Sequence, residues 1–175
     1  LAINGHAIEA RLYAEDPEKD FLPSPGTVHR WEPATAGNAR FDSGIESGSE
    51  IGVEFDPMIA KVIVHAPTRR EAASRLARAL EQTRLQGLKT NRDFLVATLR
   101  TPEFLSGATT TDFIDKVRPE RSREKSIQQI DQAAIAIVVE SRAKRRCEAG
   151  VLGTIIGGWR NSHMPPESTV FSFKD

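Results

Sequence analysis

The chain has 175 residues, a length typical of one domain with part of a second and sufficient for a sizeable core. Its 24 Lys and Arg residues balance its 24 Asp and Glu residues, so the charge predicts neither a nucleic-acid partner nor a membrane surface. The single Cys147 excludes an internal disulfide, and the longest apolar run, AAIAIVV, is far shorter than the roughly 20 residues that a membrane-spanning helix needs.

The first part of the chain has the alternating pattern of short β-strands. Residues 3–14 alternate apolar and polar side chains, and the proline-marked loop FLPSPG at 21–26 follows them. TVHRWE at 27–32 and ARFDSGI at 39–45 predict two further strands. AKVIVHA at 60–66 is almost continuously apolar and predicts a strand that is buried on both faces. Several short strands in succession indicate an antiparallel sheet.

A long helix is predicted directly after these strands. Thr68 followed by Glu71 is a capping-box pattern, which predicts the start of the helix. Gly87 is the residue expected to end it. The residues predicted to face inward are Ala72, Leu76, Ala79, Leu80 and Thr83.

Two more helices are predicted before the composition changes. Thr90 or Asn91 should cap the first of them. Its predicted inward residues are Phe94, Leu95 and Leu99. Thr101 should cap the second, with Pro102 at the first helical position, where its missing N–H is not needed. Strands followed by helices predict an α+β domain over residues 1–116.

The composition changes after residue 116. The segment at 117–126 is charged, contains a proline and has little apolar content, so it predicts a linker. Apolar residues at helical spacing then predict a further helix: Ile127, Ile130, Ala134, Ile137 and Val138. A glycine-rich stretch and a strand–turn–strand pattern complete residues 127–175, which together predict a helix and the truncated start of a β domain.

The standard catalytic and nucleotide-binding motifs are absent from the sequence. It has no GxxxxGK[ST], GxGxxG, HExxH, CxxC or GxSxG pattern. The four histidines are scattered without an i, i+4 pair, so no metal site is predicted. A candidate site must therefore come from charged residues in the strand region.

Arg11 is the charged residue that this search leaves. It lies in a strand pattern, and period-two alternation places it on the same face as Glu9. Asp56, which precedes Pro57 at the entry to the most apolar strand, could hold an arginine of the neighbouring strand in a bidentate pair. The residues alone leave two alternatives open, a structural ion pair and a functional site.

Four blocks of the sequence carry a family resemblance. GHAIEARLYAEDP, FLPSPG, FDPMIAKVIVHA and GLKTN resemble, in order and spacing, the C-terminal domain of biotin carboxylase, over about residues 3–116. The form IEARLYAEDP is most similar to the α chains of propionyl-CoA, methylcrotonyl-CoA and related acyl-CoA carboxylases. The resemblance implies an α+β fold in which an antiparallel sheet of short strands packs with helices. The tail resembles the start of the interdomain segment of those α chains.

The resemblance implies a half-reaction and its principal residues. Enzymes of this family use MgATP and bicarbonate to make carboxyphosphate, whose CO2 is transferred to N1 of biotin. The family places a strand arginine against the biotin oxygen on which negative charge develops, and Arg11 matches it. A permanently charged donor suits this task because it needs no proton transfer. Asp56 would orient Arg11, and Glu9 would support it.

Further positions match the family less directly. Arg40 matches a position near the dimer interface, which implies a structural role. Thr111 and Asp112 match the segment that closes over the adenine of ATP. Phe55 stands where many relatives have tyrosine, so a hydroxyl beside the proposed site is missing.

The resemblance also implies partners. These are the upstream ATP-grasp domains of the same chain, a separate biotin carrier domain, the carboxyltransferase β subunit and a second copy in a homodimer. MgATP and bicarbonate would bind the full-length enzyme, and biotin would be attached to the carrier, so we expect no cofactor on this fragment and no activity from it alone. The alternative is a non-catalytic module for dimerisation or subunit interaction.

The N-terminus bears on location. The chain opens on LAINGHAIEA, which lacks the basic and apolar regions of a signal peptide. We therefore expect a cytoplasmic location, or the mitochondrial matrix if the source is eukaryotic.

Overall fold

The computed structural model describes residues 2, 4–35, 38–150 and 168–172. The chain divides into two compact units, Leu1–Arg123 and Glu124–Asp175. The first unit contains short antiparallel sheets and helices, which confirms the predicted α+β class.

Nine strands belong to the first unit. They are β1 (His6–Tyr13), β2 (Glu15–Asp16), β3 (Leu22–Pro23), β4 (Gly26–Thr27), β5 (Arg30–Glu32), β6 (Arg40–Ser43), β7 (Glu50–Ile51), β8 (Met58–Ala66) and β9 (Arg84–Gln86) in the described part of the chain. The largest sheet has the order β1–β8–β6 and is antiparallel. The remaining strands form the antiparallel pairs β2–β3, β4–β7 and β5–β9.

Most helices follow the strands, as the sequence predicts, although β9 lies between α1 and α2. They are α1 (Arg69–Gln82), α2 (Arg92–Arg100), α3 (Pro102–Ser106) and α4 (Phe113–Val117) in the first unit and α5 (Ile127–Glu148) in the second. A short 3-10 helix, Pro17–Lys19, lies between β2 and β3.

The core lies between one face of the β1–β8–β6 sheet and α1. Val62 and Val64 of β8 are about 1% exposed or less and cluster with Leu76 and Leu80 of α1. On the opposite face Lys61 and Ile63 are only half-buried. The prediction that this strand is buried on both faces was therefore wrong, because helices cover only one face of the sheet and β8 alternates in burial.

The start of α1 matches its prediction, and its end does not. The hydroxyl of Thr68 accepts from the backbone N–H of Glu71 at 3.2 Å. The predicted inward residues are all buried: Ala72, Leu76, Ala79, Leu80 and Thr83. However, α1 ends at Gln82, and Thr83 is its C-cap. The prediction that Gly87 ends this helix was wrong, since β9 begins at Arg84 and pairs with β5.

The helices α2 and α3 begin where the sequence places them. Asn91 is the N-cap of α2, although its side chain makes no capping hydrogen bond. Leu99 of α2 is 5% exposed, whereas Phe94 and Leu95 are half-buried. Thr101 caps α3 by accepting from the N–H of Phe104 at 3.3 Å, with Pro102 at the first position.

The segment 118–122 packs onto the 3-10 helix region. Arg121 donates to the carbonyl of Pro17 at 2.9 Å and pairs with Asp20 at 2.7 Å. Its guanidinium also lies 5.6 Å from the ring centre of Phe21. Ser122 donates to the carboxylate of Glu18 at 2.8 Å. The first residues of the predicted linker 117–126 are thus attached to the first unit, while the predicted domain limits remain predictions.

In the second unit, α5 begins with a full capping box between Ser126 and Gln129. Of its apolar residues, Ile130, Ala134 and Val138 are half-buried, whereas Ile127 is 78% exposed. The predicted β strands after this helix lie largely outside the described residues. Within the residues that are described, no helix is long and apolar enough to span a membrane.

Candidate functional site

The face of the β1–β8–β6 sheet that points away from α1 carries two rows of side chains, all charged except Ile63. In the first row, Ile63 of β8 is opposite both Glu9 of β1 and Arg40 of β6. In the second row, Lys61 is opposite both Arg11 and Asp42. Because residues directly opposite each other point to the same side of a sheet, these side chains share one surface, which we call the open sheet face.

Arg11 lies on the open sheet face as the alternation predicts. Its side chain is 61% exposed, and its Nε lies 3.3 Å from Oε1 of Glu9. The hydrogen bond with Glu9 is the main reason that the pKa of Arg11 lies above its ordinary value, and a hydrogen bond with Tyr13 acts in the same direction. The guanidinium is thus a permanent, accessible cation held from within its own strand.

Asp56 lies in the exposed loop between β7 and β8. Among the residues that the structure describes, no ion pair joins Asp56 to Arg11. Its charge instead acts on Glu15, whose pKa is raised first by burial and second by Asp56. The backbone next to Asp56 is connected to the end of β1, because the N–H of Ala14 donates to the carbonyl of Pro57 at 2.9 Å. An orienting role of Asp56 toward Arg11 stays a prediction.

Arg40 is the second arginine of the open sheet face. It pairs with Asp42 of the same strand at 2.8 Å, and its side chain is 71% exposed. Lys61 lies between Arg11 and Asp42 in the register, and the sequence analysis did not single it out. Its position between the apolar residues Ala60 and Val62 could have indicated that it faces away from the core.

Thr111 and Asp112 precede α4 and are both exposed. Asp112 pairs with Lys116 at 2.6 Å, and this hydrogen bond is the main reason that the pKa of Asp112 is lowered. No hydrogen bond or ion pair connects either residue with Arg11 or Asp56 in the described ranges. A role of Thr111 and Asp112 in adenine binding stays a prediction.

The loop that follows β1 is organised by a buried carboxylate. Asp16 is 5% exposed, accepts from the backbone N–H of Glu18 at 3.2 Å, and lies 3.1 Å from Nζ of Lys89. The Lys89 ammonium also pairs with Glu18 at 3.3 Å. These contacts connect the AEDP and GLKTN blocks, which are more than 70 residues apart. Because the two blocks contact each other, both lie beside the strand that carries Arg11.

Asn91, in the same GLKTN block, contacts the strand of Arg11 directly. Its Nδ2 donates to the carbonyl of Arg11 at 3.2 Å, and its Oδ1 accepts from the N–H of Tyr13 at 2.9 Å. Sequence reasoning identified Asn91 only as a helix cap. The signal that would have identified this contact is a buried amide beside the strand of Arg11. That signal is visible only in the three-dimensional structure.

No group of three or more His, Cys, Asp or Glu side chains is placed to hold a metal ion among the described residues. The chemistry that the open sheet face can supply is electrostatic. It offers exposed cationic hydrogen-bond donors. One of them, Arg11, lies on a strand that is paired with β8.

Comparison with known proteins assigns this arrangement to a family. The family model described as biotin carboxylase C-terminal domain matches residues 9–116. The chain is 37% identical to the mitochondrial methylcrotonoyl-CoA carboxylase subunit alpha of Mus musculus, over 81% of this chain and 20% of that protein. It is 48% identical to the biotin-dependent acyl-coenzyme A carboxylase alpha3 subunit of Mycobacterium leprae, over 58% of this chain and 17% of that protein. The chain thus spans about a fifth of the length of these curated relatives.

A solved structure shows the same fold. The biotin carboxylase domain dimer of 2-oxoglutarate carboxylase from Hydrogenobacter thermophilus, in complex with MgADP, ADP and bicarbonate, is similar with a TM-score of 0.68 and 33% identity. The similarity covers 71% of this chain and 28% of that one.

Proposed function

Because the chain belongs to the biotin carboxylase C-terminal domain family, we propose that it is the C-terminal part of the biotin carboxylase component of an acyl-CoA carboxylase α subunit. The supporting observation is the position of Arg11, an exposed cation on a strand within the segment that matches the family. The similarity to acyl-CoA carboxylase α subunits supports the acyl-CoA class.

The overall half-reaction converts ATP, bicarbonate and biotin into ADP, phosphate and N1-carboxybiotin, with release of the N1 proton. In this reaction Arg11 would donate hydrogen bonds to the biotin oxygen on which negative charge develops. Its side chain fits this task because 61% of it is exposed and it remains protonated at any physiological pH.

Two carboxylates would set the direction of the Arg11 side chain. Glu9 holds the guanidinium Nε at 3.3 Å and leaves the rest of the side chain exposed. Asp56, which lies in the exposed loop before β8, would orient Arg11 in the assembled enzyme.

The other substrates and partners would come from outside this chain. We infer that upstream ATP-grasp domains bind MgATP and bicarbonate, and that Thr111 and Asp112 contribute to the adenine side of that site. The Hydrogenobacter structure holds MgADP and bicarbonate, which supports these ligands for the full-length protein. A biotin carrier domain and a carboxyltransferase β subunit would complete the enzyme. The mitochondrial mouse relative supports a matrix location if the source is eukaryotic, and the Mycobacterium leprae relative is consistent with a cytoplasmic location if it is bacterial.

The test of this function is Arg11→Ala in the full-length enzyme. Biotin-dependent ATP turnover should fall by about 100- to 1,000-fold, because one donor to developing negative charge is lost. The unfolding midpoint should hardly change, since an exposed ion pair contributes about 0–1 kcal/mol. Arg30→Ala is a matched control: Arg30 also lies on a strand and pairs with a glutamate two residues away, at 2.9 Å, but in β5. Its turnover should stay at the wild-type level. Turnover by Arg11→Ala that equals that of the control would contradict the catalytic assignment.

A second candidate function is supported by the open sheet face itself. Among the described residues no layer covers this face of the three-stranded sheet, and the face carries both signs of charge in the pairs Glu9–Arg11 and Arg40–Asp42. A surface of this kind suits a two-fold contact with a second copy, in which the Arg40–Asp42 pair meets its own counterpart. The chain would then act, in part or entirely, as a dimerisation module, and Arg40 would be one of the contact residues.

A further inference from the structure

Asn91 is a buried amide whose hydrogen bonds go to β1. Only 6% of the residue is exposed. Its Nδ2 donates to the carbonyl of Arg11 at 3.2 Å, and its Oδ1 accepts from the N–H of Tyr13 at 2.9 Å. Its own backbone N–H donates to the carbonyl of Tyr13 at 3.2 Å. One residue thus pairs with the polar backbone groups on both sides of Leu12.

This use of the side chain is unusual for its position. Asparagine at an N-cap normally accepts from an N–H of the first helical turn. In α2 that capping hydrogen bond is absent. The Asn91 side chain bonds to the backbone of β1 instead. The amide therefore stabilises β1 rather than the helix that it begins.

The strand needs this support at the point where Asn91 contacts it. The pairing between β1 and β8 is irregular there, since Leu12 is opposite Ala60 while Tyr13 is opposite Met58. Moreover, β1 is an edge strand of its sheet. An edge strand beside an irregularity is not fixed by its ladder alone. With β8 on one side and Asn91 on the other, the backbone of Arg11 is held from both edges.

We propose that Asn91 is a positioning residue for Arg11, and this inference rests on the proposed function of Arg11. Glu9, which pairs with the guanidinium at 3.3 Å, belongs to β1 itself, so the guanidinium moves wherever β1 moves. Asn91 fixes that strand to α2. A displacement of about 1 Å at a reacting centre can lower a rate by about 100-fold.

The test is Asn91→Asp in the full-length enzyme. The substitution keeps the shape and the acceptor for the Tyr13 N–H, but it replaces the donor to the Arg11 carbonyl by a carboxylate oxygen, which repels that carbonyl. The kcat of biotin carboxylation should fall by about 10- to 100-fold, while KM for free biotin changes less. ATP cleavage measured without biotin should stay unchanged, because Arg11 acts on the biotin side of the reaction.

Thr83→Val is the matched control. Thr83 is 1% exposed, and its hydroxyl hydrogen-bonds to the carbonyl of Ala79 and the N–H of Ala34, at 2.8 and 3.3 Å. Its substitution should lower the unfolding midpoint without changing kcat at temperatures where the protein is folded. An equal loss of kcat in this control would show that any buried polar defect suffices, and it would overturn the specific role of Asn91.

A double-mutant cycle separates the two proposals. If Asn91 acts through Arg11, Asn91→Asp should cause no further loss in an Arg11→Ala background. A silent Arg11→Ala would refute the proposed function. Suppose that Arg11→Ala lowers activity, but Asn91→Asp has no effect or its loss simply adds to that of Arg11→Ala. This result would refute only the positioning role of Asn91. If Asn91→Asp does not fold, Asn91→Ser is assayed instead, and failure of both to fold overturns the inference by making Asn91 a residue of the fold.

Discussion

Glu15 lies just after β1, half-buried and close to the charge of Asp56. Burial and the second carboxylate both disfavour its ionised form, so its pKa in the folded protein is raised above the ordinary value. An acid with a raised pKa binds its proton more tightly in the folded state than in the unfolded state. The free energy of unfolding therefore decreases as the pH rises through the range between the two pKa values.

This sign gives a prediction for Glu15→Gln. At neutral pH the variant should be more stable than the wild type, because the neutral amide avoids the penalty of ionising. Below about pH 4 the difference should disappear, since the glutamate is then protonated in both states. Urea unfolding across this pH range measures it. The exposed Glu46→Gln serves as the control. A stability difference that is constant with pH would contradict the assignment.

For single residues, the sequence correctly predicted which face of a strand a side chain occupies, but not which distant residue it contacts. The alternation in β1 correctly placed Glu9 and Arg11 on one exposed face. The predicted pair between Arg11 and Asp56 could not be verified from spacing, because the distance between them depends on a loop. The role of Asn91 was also invisible, because its partner Arg11 is 80 residues away and capping preference describes only neighbours in the chain.

At the level of secondary structure, the turn that follows β9 depends on Gly87. Its φ is +117°, and an added Cβ would collide with the carbonyl of Thr27 and lie 2.8 Å from the backbone N of His29. The close approach arises because the N–H of His29 donates to the carbonyl of Gln86 at 2.8 Å. Gly87 therefore permits β9 to pair beside the segment that leads into β5.

We expect Gly87→Ala to destabilise the protein by about 3 kcal/mol, from the unfavourable φ and from the displaced backbone together. Gly48→Ala is an informative control. Gly48 also has a positive φ, +96°, but nothing lies within 4 Å of its added Cβ. It should cost only about 1–2 kcal/mol. Thermal or urea unfolding compares them, and equal losses would show that the contact with Thr27 and His29 is unimportant.

Long regular elements were predictable, and short pairings were not. The α1 helix and β8 follow from their periodicity, because each buries a repeated apolar side against the other. The strand β9 has three residues and exists because it pairs with β5, more than 50 residues earlier in the chain. Local pattern contains no information about such a partner. The expected burial of β8 on both faces failed for a related reason, since only the tertiary fold decides which sheet faces receive helices.

Across the whole molecule, the described residues place no covering layer on the open sheet face. Arg40 and Asp42 lie on β6, at the opposite edge of this sheet from Arg11 on β1, so a two-fold contact at that edge would pair each Arg40 with the Asp42 of a second copy and leave Arg11 accessible. The Hydrogenobacter relative is described as a dimer, which supports such a contact in the full-length protein.

Arg40→Glu should therefore weaken self-association of the full-length protein by about 10-fold or more, since it places a repelling charge beside Asp42 and its counterparts. Sedimentation velocity over a concentration series measures the dissociation constant. The control is Arg30→Glu, which makes the same charge change on a strand outside this sheet. Equal dissociation constants for the two variants would exclude Arg40 from the contact.

The attachment of Arg121 and Ser122 has a practical consequence for anyone who divides this protein into pieces. The family match ends at residue 116, but the side chains that hold Pro17, Glu18 and Asp20 come after it. A fragment that stops at 116 would lose these contacts and uncover the ring of Phe21. The natural place to cut is after residue 123, where the first unit ends. The family match therefore ends earlier in the chain than the contacts that stabilise the domain.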